Sequence, residues 1–130
     1  CGLLIVSATG CDIVSNEDLK LRINNASDKA IYVSWTTDYP DTTINHIVNP
    51  VFNSQINKVE AHSIQENNYA APSKGLFSEK IDTLSLFIFD SNVVETTPWD
   101  TIKSKHLVLK RYDLSVHDLD KKNWIITYPQ

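Results

Sequence analysis

The sequence predicts a mainly β fold, an antiparallel β-sandwich of about seven short strands with one or two short helical turns. Apolar and polar residues alternate with period two in several segments, which is typical of half-buried strands. Clusters of turn-forming residues separate these segments at short intervals. Because signals for long helices are absent between them, this spacing favours two packed antiparallel sheets.

Two strands are predicted near the start of this region. Leu19, Leu21 and Ile23 alternate with polar residues, and residues 24–29 form a turn cluster. Apolar residues then alternate again over residues 31–36. The two segments are therefore predicted to pair as a hairpin.

The middle of the chain has weaker signals. Residues 38–57 are rich in Asp, Asn, Thr and Pro, and are predicted as a long loop with room for one short strand. Loops of that length are uncommon in compact domains, so the segment either contains a strand or is functional. A weak third strand is predicted over residues 59–63. Residues 83–89 form the most apolar strand, which is expected to be central.

Helical signals appear only in the last third. Thr97 is predicted as an N-cap, followed by Pro98 in the first helical position and Asp100 in the first turn. Ser115 and Asp118 have the spacing of a capping box. Strands are predicted over two further segments, residues 107–112 and 124–128. A helical turn between two late strands is similar to the crossover between sheets in immunoglobulin-like domains, so an immunoglobulin-like or related sandwich is expected.

Composition limits the domain count and the classes of partner. A chain of 130 residues with 42% hydrophobic content is expected to form one domain. Its net charge is −4, and its 12 Lys and Arg residues are scattered along the sequence. Nucleic-acid binding needs a dense basic face, so that function is disfavoured. Electrostatic docking to an anionic membrane is disfavoured for the same reason.

The first ten residues do not resemble part of a globular domain. They are apolar and uncharged, and the chain contains no methionine. A transmembrane helix needs about 20 apolar residues, so this segment is too short to span a bilayer. Residues 1–10 are therefore predicted to be the remnant of a signal peptide. The alternative is a buried first strand.

Cys11 is the predicted site of lipidation. The small residues 7–10 lead directly to it, which resembles a bacterial lipobox, although Ala8 stands where leucine is usual. A lipid-modified Cys11 would anchor the protein to the membrane, and residues 11–18 would form a flexible tether before a single domain over residues 19–130. A disulfide between Cys1 and Cys11, or lipidation of Cys1 in a chain that is already trimmed, remains open. The expected location is the cell envelope, at the periplasmic or the surface face of the outer membrane.

The C-terminal segment carries a resemblance to a family. The segment has three parts, namely Lys-Arg-Tyr-Asp-Leu-Ser over residues 110–115, Asp118-Leu119, and Asn-Trp-Ile-Ile-Thr-Tyr-Pro over residues 123–129. Together they resemble the ending of small uncharacterised lipoproteins of Bacteroidetes. The resemblance covers about the last 25 residues and, more loosely, the lipoprotein start. It implies the type of organism and an envelope location, and it implies no activity.

The same resemblance implies possible O-glycosylation. Proteins exported in this lineage carry glycans at Asp followed by Ser or Thr and then an aliphatic residue or Thr. This pattern singles out Thr42 and Thr101, which lie in polar or turn regions, and it also occurs at Asp82-Thr83. Ordinary turn and cap chemistry is the alternative explanation.

No catalytic, cofactor or metal motif is found in the sequence. The four histidines are far apart, and with three glycines no phosphate-binding loop is present. Paired carboxylates stay possible, because any two of the sixteen acidic residues can meet in the fold. We therefore expect a protein with no enzymatic activity, no cofactor and no metal.

The aromatic residues offer one candidate binding surface. Trp35 and Trp124 lie on the apolar phase of predicted strands and are expected in the core. Trp99 lies beside a proline at a predicted helix start. With Tyr39 and Tyr69, which lie in turn-rich segments, it could form an exposed platform for sugar rings. The alternative is that Trp99 caps one end of the sandwich.

Two functions follow from these observations. The first is a non-enzymatic envelope lipoprotein that acts as an interaction or accessory module for an unknown partner protein. The alternative is a glycan-binding surface lipoprotein that uses the exposed aromatic residues.

Overall fold

The structure is a computed structural model that describes residues 19–65 and 71–130. The predicted signal remnant, the tether and Tyr69 lie outside the described residues. Seven strands are present in the described part, namely β1 (Arg22–Asn25), β2 (Ile31–Thr36), β3 (Lys58–Val59), β4 (Ser63–Ile64), β5 (Leu84–Asp90), β6 (Lys110–Leu114) and β7 (Ile125–Tyr128). The α-helices described there are α1 (Ser54–Asn57), α2 (Ser91–Thr96), α3 (Trp99–Lys105) and α4 (Val116–Lys121), and 3-10 turns cover Pro50–Asn53 and Lys74–Leu76.

The strands form two sheets, as predicted for a sandwich. One sheet has the order β4-β1-β7 and the other the order β3-β2-β5-β6. The prediction of an entirely antiparallel arrangement is wrong, because β1 pairs with β7 in parallel, from Arg22 opposite Ile125 to Asn25 opposite Tyr128. The fold is also less dominated by strands than expected, with 28% helix and 30% strand in the part of the chain that the structure describes.

The predicted hairpin between the first two strands is wrong. β1 and β2 lie in different sheets, and the turn between them carries the chain across the sandwich. The strand predicted over residues 59–63 is also divided, because β3 joins one sheet and β4 the other. His62 lies at this corner with a φ of 55°. Alternation of apolar residues predicts which side chains are buried, but it does not specify the neighbouring strand.

The main core lies between the two sheets. Alternate residues of β5 face it, and these side chains pack against apolar residues of β1 and β7. Trp124 is 3% exposed and belongs to this core, as predicted, whereas Trp35 is half-buried and packs against it. The buried members are Leu21, Ile23, Ile31, Val33, Val59, Leu84, Leu86, Ile88, Leu114, Leu119, Trp124 and Ile126.

A second core lies on the other face of the four-stranded sheet. Phe87 and Phe89 of β5 are buried there with Tyr32 of β2. Ile44 and Ile47, from the segment predicted as a long loop, cover them together with Val94 and Ile102 of α2 and α3. The molecule therefore has a helix-and-loop layer on its four-stranded sheet. β5 is buried on both faces, which explains why its sequence is the most apolar and confirms its central place.

Side-chain caps define the short helices. Asp90 caps α2 by accepting hydrogen bonds from the backbone N–H groups of Asn92 and Val93. The predicted N-cap Thr97 instead ends α2, since its N–H donates to the Val93 carbonyl, and α3 begins one residue later than expected. At α4 the capping box between Ser115 and Asp118 is confirmed in both directions. None of the helices in the described segments is long and apolar enough to cross a membrane.

Candidate functional site: the groove between β6 and β7

A groove lies where the edges of the two sheets meet. β6 ends the four-stranded sheet, and β7 ends the three-stranded sheet. The cavity between them has a volume of about 540 Å³ and is lined by all of β6, by residues 125–127 of β7, and by Lys122 and Gln130. We call it the β6–β7 groove. It brings backbone edges and charged side chains together at one accessible place.

Tyr112 crosses this groove from one sheet to the other. It pairs with Leu86 of β5, so its side chain lies on the face of the sheet that is turned towards β7. Its hydroxyl lies 3.1 Å from the Gln130 carbonyl oxygen and 3.4 Å from that of Thr127. Burial raises the pKa of the Tyr112 hydroxyl, so the group stays protonated and acts as a donor to these carbonyls. Its role is to connect the two sheets.

The opposite face of β6 carries an ion pair. The Arg111 guanidinium contacts the Asp113 carboxylate, with an Nη2–Oδ2 distance of 3.2 Å. Asp113 also accepts a hydrogen bond from the Ser85 hydroxyl at 2.9 Å. Ser85 is fully buried on the neighbouring strand, so this hydroxyl fixes the carboxylate and is not available to a substrate. The Asp113 carboxylate is therefore held in place at the sheet edge.

The groove is cationic although the chain is acidic. Three basic residues, Lys110, Arg111 and Lys122, line it with one acidic residue, Asp113, in a chain of net charge −4. Lys110 Nζ lies 5.5 Å from the centre of the Tyr112 ring, in cation–π geometry. All four of the charged residues are exposed. Such a surface is suited to contacts with a partner rather than to proton transfer.

A second cavity continues along the same edge. It has a volume of about 310 Å³ and is lined by Leu109, which precedes β6, by Tyr128, which ends β7, and by residues 27–31. Leu109 is 49% exposed. The accessible edge therefore extends beyond the charged part of β6 to an apolar side chain.

The residues of the predicted aromatic platform have different surroundings. Trp99 is half-buried in the helix layer, where its ring meets that of Phe89 edge to face at 5.6 Å. Its indole N–H donates to the Ile47 carbonyl at 3.1 Å. Tyr39 is 46% exposed. Neither Trp99 nor Tyr39 lines the cavities described above, and Tyr69 lies outside the described residues. Glycan binding stays a prediction.

The two predicted glycosylation sites are both half-buried. Asp41, which precedes Thr42, accepts hydrogen bonds from the N–H and the hydroxyl of Thr43 at 2.9 and 2.8 Å. These bonds, led by that from the backbone N–H, lower the pKa of the Asp41 carboxyl. Thr101 lies in the first turn of α3, and its N–H donates to the Pro98 carbonyl. Local turn and helix contacts are therefore present at both sites, and the glycans stay a prediction.

Within residues 19–65 and 71–130, no group of three or more His, Cys, Asp or Glu side chains is placed to hold a metal ion. His62 Nε2 lies 2.8 Å from an Asp28 carboxylate oxygen, and both side chains are exposed. Cys11, the predicted lipidation site, and Cys1 lie outside the described residues. Comparison with family models, with curated proteins and with solved structures found no match.

The sequence did not identify the β6–β7 groove as a site. Lys110, Arg111 and Tyr112 belong to the strand predicted over residues 107–112, and with Asp113 they form part of the family resemblance. A signal was present in its composition, because two basic residues on a short strand are typical of a sheet edge that is open to solvent. What the sequence could not provide is that β7 ends the other sheet beside it.

Proposed function

We propose that this protein is a non-enzymatic envelope lipoprotein, anchored through lipid on Cys11, that acts as an interaction module. Its contact surface is the β6–β7 groove. One observation carries the proposal, namely that an end strand of each sheet borders the same exposed, charged groove. Edge strands offer backbone N–H and C=O groups to a partner, and neighbouring side chains give specificity.

The envelope part of the proposal rests on the sequence. Small residues precede Cys11, an apolar segment too short to span a bilayer precedes them, and the C-terminal segment resembles that of Bacteroidetes lipoproteins. An immunoglobulin-like identity for the sandwich belongs to the same proposal. It is supported by the two packed sheets and by the helical crossover α4 between β6 and β7.

The anchor can be tested by phase partition in Triton X-114. We expect the native protein to enter the detergent phase and Cys11→Ser to remain in the aqueous phase, because the thioether-linked lipid is lost. Cys1→Ser is the matched control and should partition like the native protein. Recovery of Cys11→Ser in the detergent phase contradicts the assignment.

The groove can be tested by photo-crosslinking in the cells that produce the protein. A benzoylphenylalanine at Lys122, which lines the groove and is exposed, should form a discrete adduct. The same group at Lys105, an exposed residue of α3, is the control and should not form it. Lys110→Glu should weaken the adduct from Lys122, because it reverses a charge at the groove. Equal adducts from both positions, or no effect of Lys110→Glu, would remove the proposal.

A further inference from the structure

We propose that the occupant of this edge is a second copy of the chain, paired through β6 to β6 in antiparallel register about a two-fold axis at Tyr112. The choice of surface rests on the proposed function, whereas the register follows from β6 itself. The pairing would join two four-stranded sheets into one continuous sheet of eight strands. It would satisfy the backbone groups on the outer side of both edge strands.

The edge is accessible to such a partner. β6 pairs only with β5 in the described structure, and its five residues extend over about 17 Å. Lys110, Arg111 and Asp113 are exposed, Tyr112 is half-buried, and Leu114 is buried. The strand is therefore long enough for several backbone hydrogen bonds, and its charged side chains are exposed to another molecule.

Symmetry restricts the register. A two-fold axis normal to the sheet keeps each face on its own side, so residues that lie opposite each other share a face. With the axis at Tyr112, Arg111 lies opposite Asp113 of the second copy, and this pair occurs twice. Axes at Arg111 or at Asp113 place like charges directly opposite each other, which is destabilising. The charges of β6 thus favour one register.

The ion pair already present on β6 supports this arrangement. A guanidinium has five N–H donors, so Arg111 can contact Asp113 of its own strand and still donate to that of the second copy. The Ser85 hydroxyl holds Asp113 in position on each side. On the other face, Lys110 lies opposite Leu114 of the second copy, where the aliphatic part of its side chain can pack.

The predicted dimer is weak in solution. Exposed cross-strand ion pairs each contribute little to the free energy of association. A single pair of five-residue strands also buries less than the roughly 1,200 Å² of a stable interface. We therefore expect reversible association that increases with protein concentration. Anchoring both copies to one membrane would raise their effective concentration.

Variants that reverse the charge at Arg111 or at Asp113 test the pairing, with association measured by sedimentation equilibrium. Every arm uses the full chain with Cys11→Ser under reducing conditions, so that neither lipid nor disulfides cause association. The parent chain should dimerise at high concentration. Arg111→Asp and Asp113→Arg should each be monomeric, because every cross-strand pair then joins like charges.

The decisive arm is the mixture of these two variants. One variant carries two carboxylates at these positions and the other two guanidiniums, so each pair in the mixed dimer is complementary. We expect the mixture to dimerise and each variant by itself to remain monomeric. Contacts within one chain cannot produce this difference. Asp100→Lys and Lys103→Asp, which alter an exposed ion pair of α3, are the matched controls and should leave the parent dimer intact.

The outcomes separate this inference from the proposed function. If the parent chain dimerises and the mixture does not, the dimer uses another surface and the inference fails. If the parent chain is monomeric at every concentration while Lys122 still crosslinks to a different protein, the inference fails and the proposed function stands. If a variant fails to fold, hydrogen exchange of the parent chain tests the pairing instead. The backbone amides of β6 should become protected from exchange as the protein concentration rises. Protection that appears only in other segments contradicts the pairing.

Discussion

The Asn25 side-chain amide donates a hydrogen bond of 3.1 Å to the Val59 carbonyl and so connects the two sheets. Asn25 ends β1 in one sheet, and Val59 ends β3 in the other. The same amide nitrogen lies 2.8 and 3.1 Å from the carbonyl oxygens of Lys29 and Glu60, and its oxygen accepts from the Ser27 N–H. Asn25 is fully buried. One polar side chain therefore fixes the corner at which the chain crosses between the sheets.

Asn25→Ala is expected to lower the free energy of unfolding by about 2–3 kcal/mol, because buried carbonyls lose their donor. Asn25→Asp should be destabilising as well, since a carboxylate accepts and does not donate. The measurement is urea denaturation at 25 °C. Asn24→Ala is the matched control, because Asn24 is half-exposed and its side chain makes one long hydrogen bond among the described residues, at 3.4 Å to Thr127. Equal stabilities of Asn25→Ala and Asn24→Ala contradict this role.

The helix layer over the four-stranded sheet predicts a large effect at Phe87. This side chain is fully buried on the outer face of β5. Phe87→Ala should cost about 3–5 kcal/mol of unfolding free energy, because it leaves a cavity beneath α2 and α3. Phe52 is 79% exposed, so Phe52→Ala should change stability by less than about 0.5 kcal/mol. Urea denaturation of both variants tests whether this face is covered, and a small effect at Phe87 would show that it is not.

The capping box of α4 predicts a moderate and local effect. Ser115→Ala should lower the free energy of unfolding by about 1 kcal/mol, because its hydroxyl accepts from the Asp118 N–H. The reciprocal bond from the Ser115 N–H is the main cause of the lowered pKa of the Asp118 carboxyl. Ser104→Ala is the control, since Ser104 is exposed in the last turn of α3. Thermal denaturation that does not distinguish the two variants argues against the cap.

The contacts among Tyr32, Glu95 and Lys58 predict how stability changes with pH. The Tyr32 hydroxyl and Lys58 Nζ lie 2.8 and 2.9 Å from Glu95 Oε2. Hydrogen bonds, first from Lys58 and then from Tyr32, lower the pKa of Glu95. A lowered folded-state pKa gives stability that is present above the ordinary value and lost as pH falls through the folded value. A fall in pH should therefore lower the free energy of unfolding of the native protein more than that of the Glu95→Gln variant.

At alkaline pH the dependence of stability on pH has the opposite sign. Burial, with the hydrogen bond to Glu95, raises the pKa of Tyr32 from 10.0 to about 12. The stability linked to this shift is complete below pH 10 and decreases as pH rises towards 12, because the unfolded chain loses that proton first. Denaturation midpoints across this range should fall less steeply in Tyr32→Phe. Tyr39→Phe is the control. Denaturation midpoints that fall equally in Tyr32→Phe and in the native protein contradict the role given to Tyr32.

The contacts of Trp99 predict a structural role that can be separated from glycan binding. Trp99→Phe removes the hydrogen bond to the Ile47 carbonyl and retains an aromatic ring beside Phe89. We expect a loss of about 1 kcal/mol in unfolding free energy, measured in urea. Glycan binding predicts instead that Trp99→Phe leaves stability unchanged, and that Trp99→Ala and Tyr39→Ala both lose retention of neutral oligosaccharides on a glycan array.

The burial of side chains was the part of the fold that could best be predicted from the sequence. The alternation around Leu21 and Ile23, and the apolar run of β5, correctly indicated side chains of the main core. The capping box at Ser115 was also predictable, because it depends on residues three apart. These features are local. A local pattern records whether a side chain meets water, and it can be interpreted without knowing what it packs against.

The pairing of strands was not predictable in the same way. β1 pairs with β7 about a hundred residues later, and nothing in the alternation of β1 distinguishes that partner from β2. The helix layer was missed because Ile44 and Ile47 lie in very short apolar pieces of a polar segment. The β6–β7 groove was missed for the same physical reason, since it exists only when two edges that are remote in sequence become neighbours.

The parallel pairing of β1 with β7 has a consequence for when this sheet can form during synthesis. β1 lies in the middle of its sheet, and one of its two neighbours is β7, about a hundred residues later in the chain. A chain that is synthesised from its N-terminus cannot complete this sheet until β7 has emerged. Until then the apolar side chains of β1 stay open to chaperones. Premature termination before β7 should leave them exposed to quality-control proteases, because the emergence of β7 is the event that permits this sheet to form.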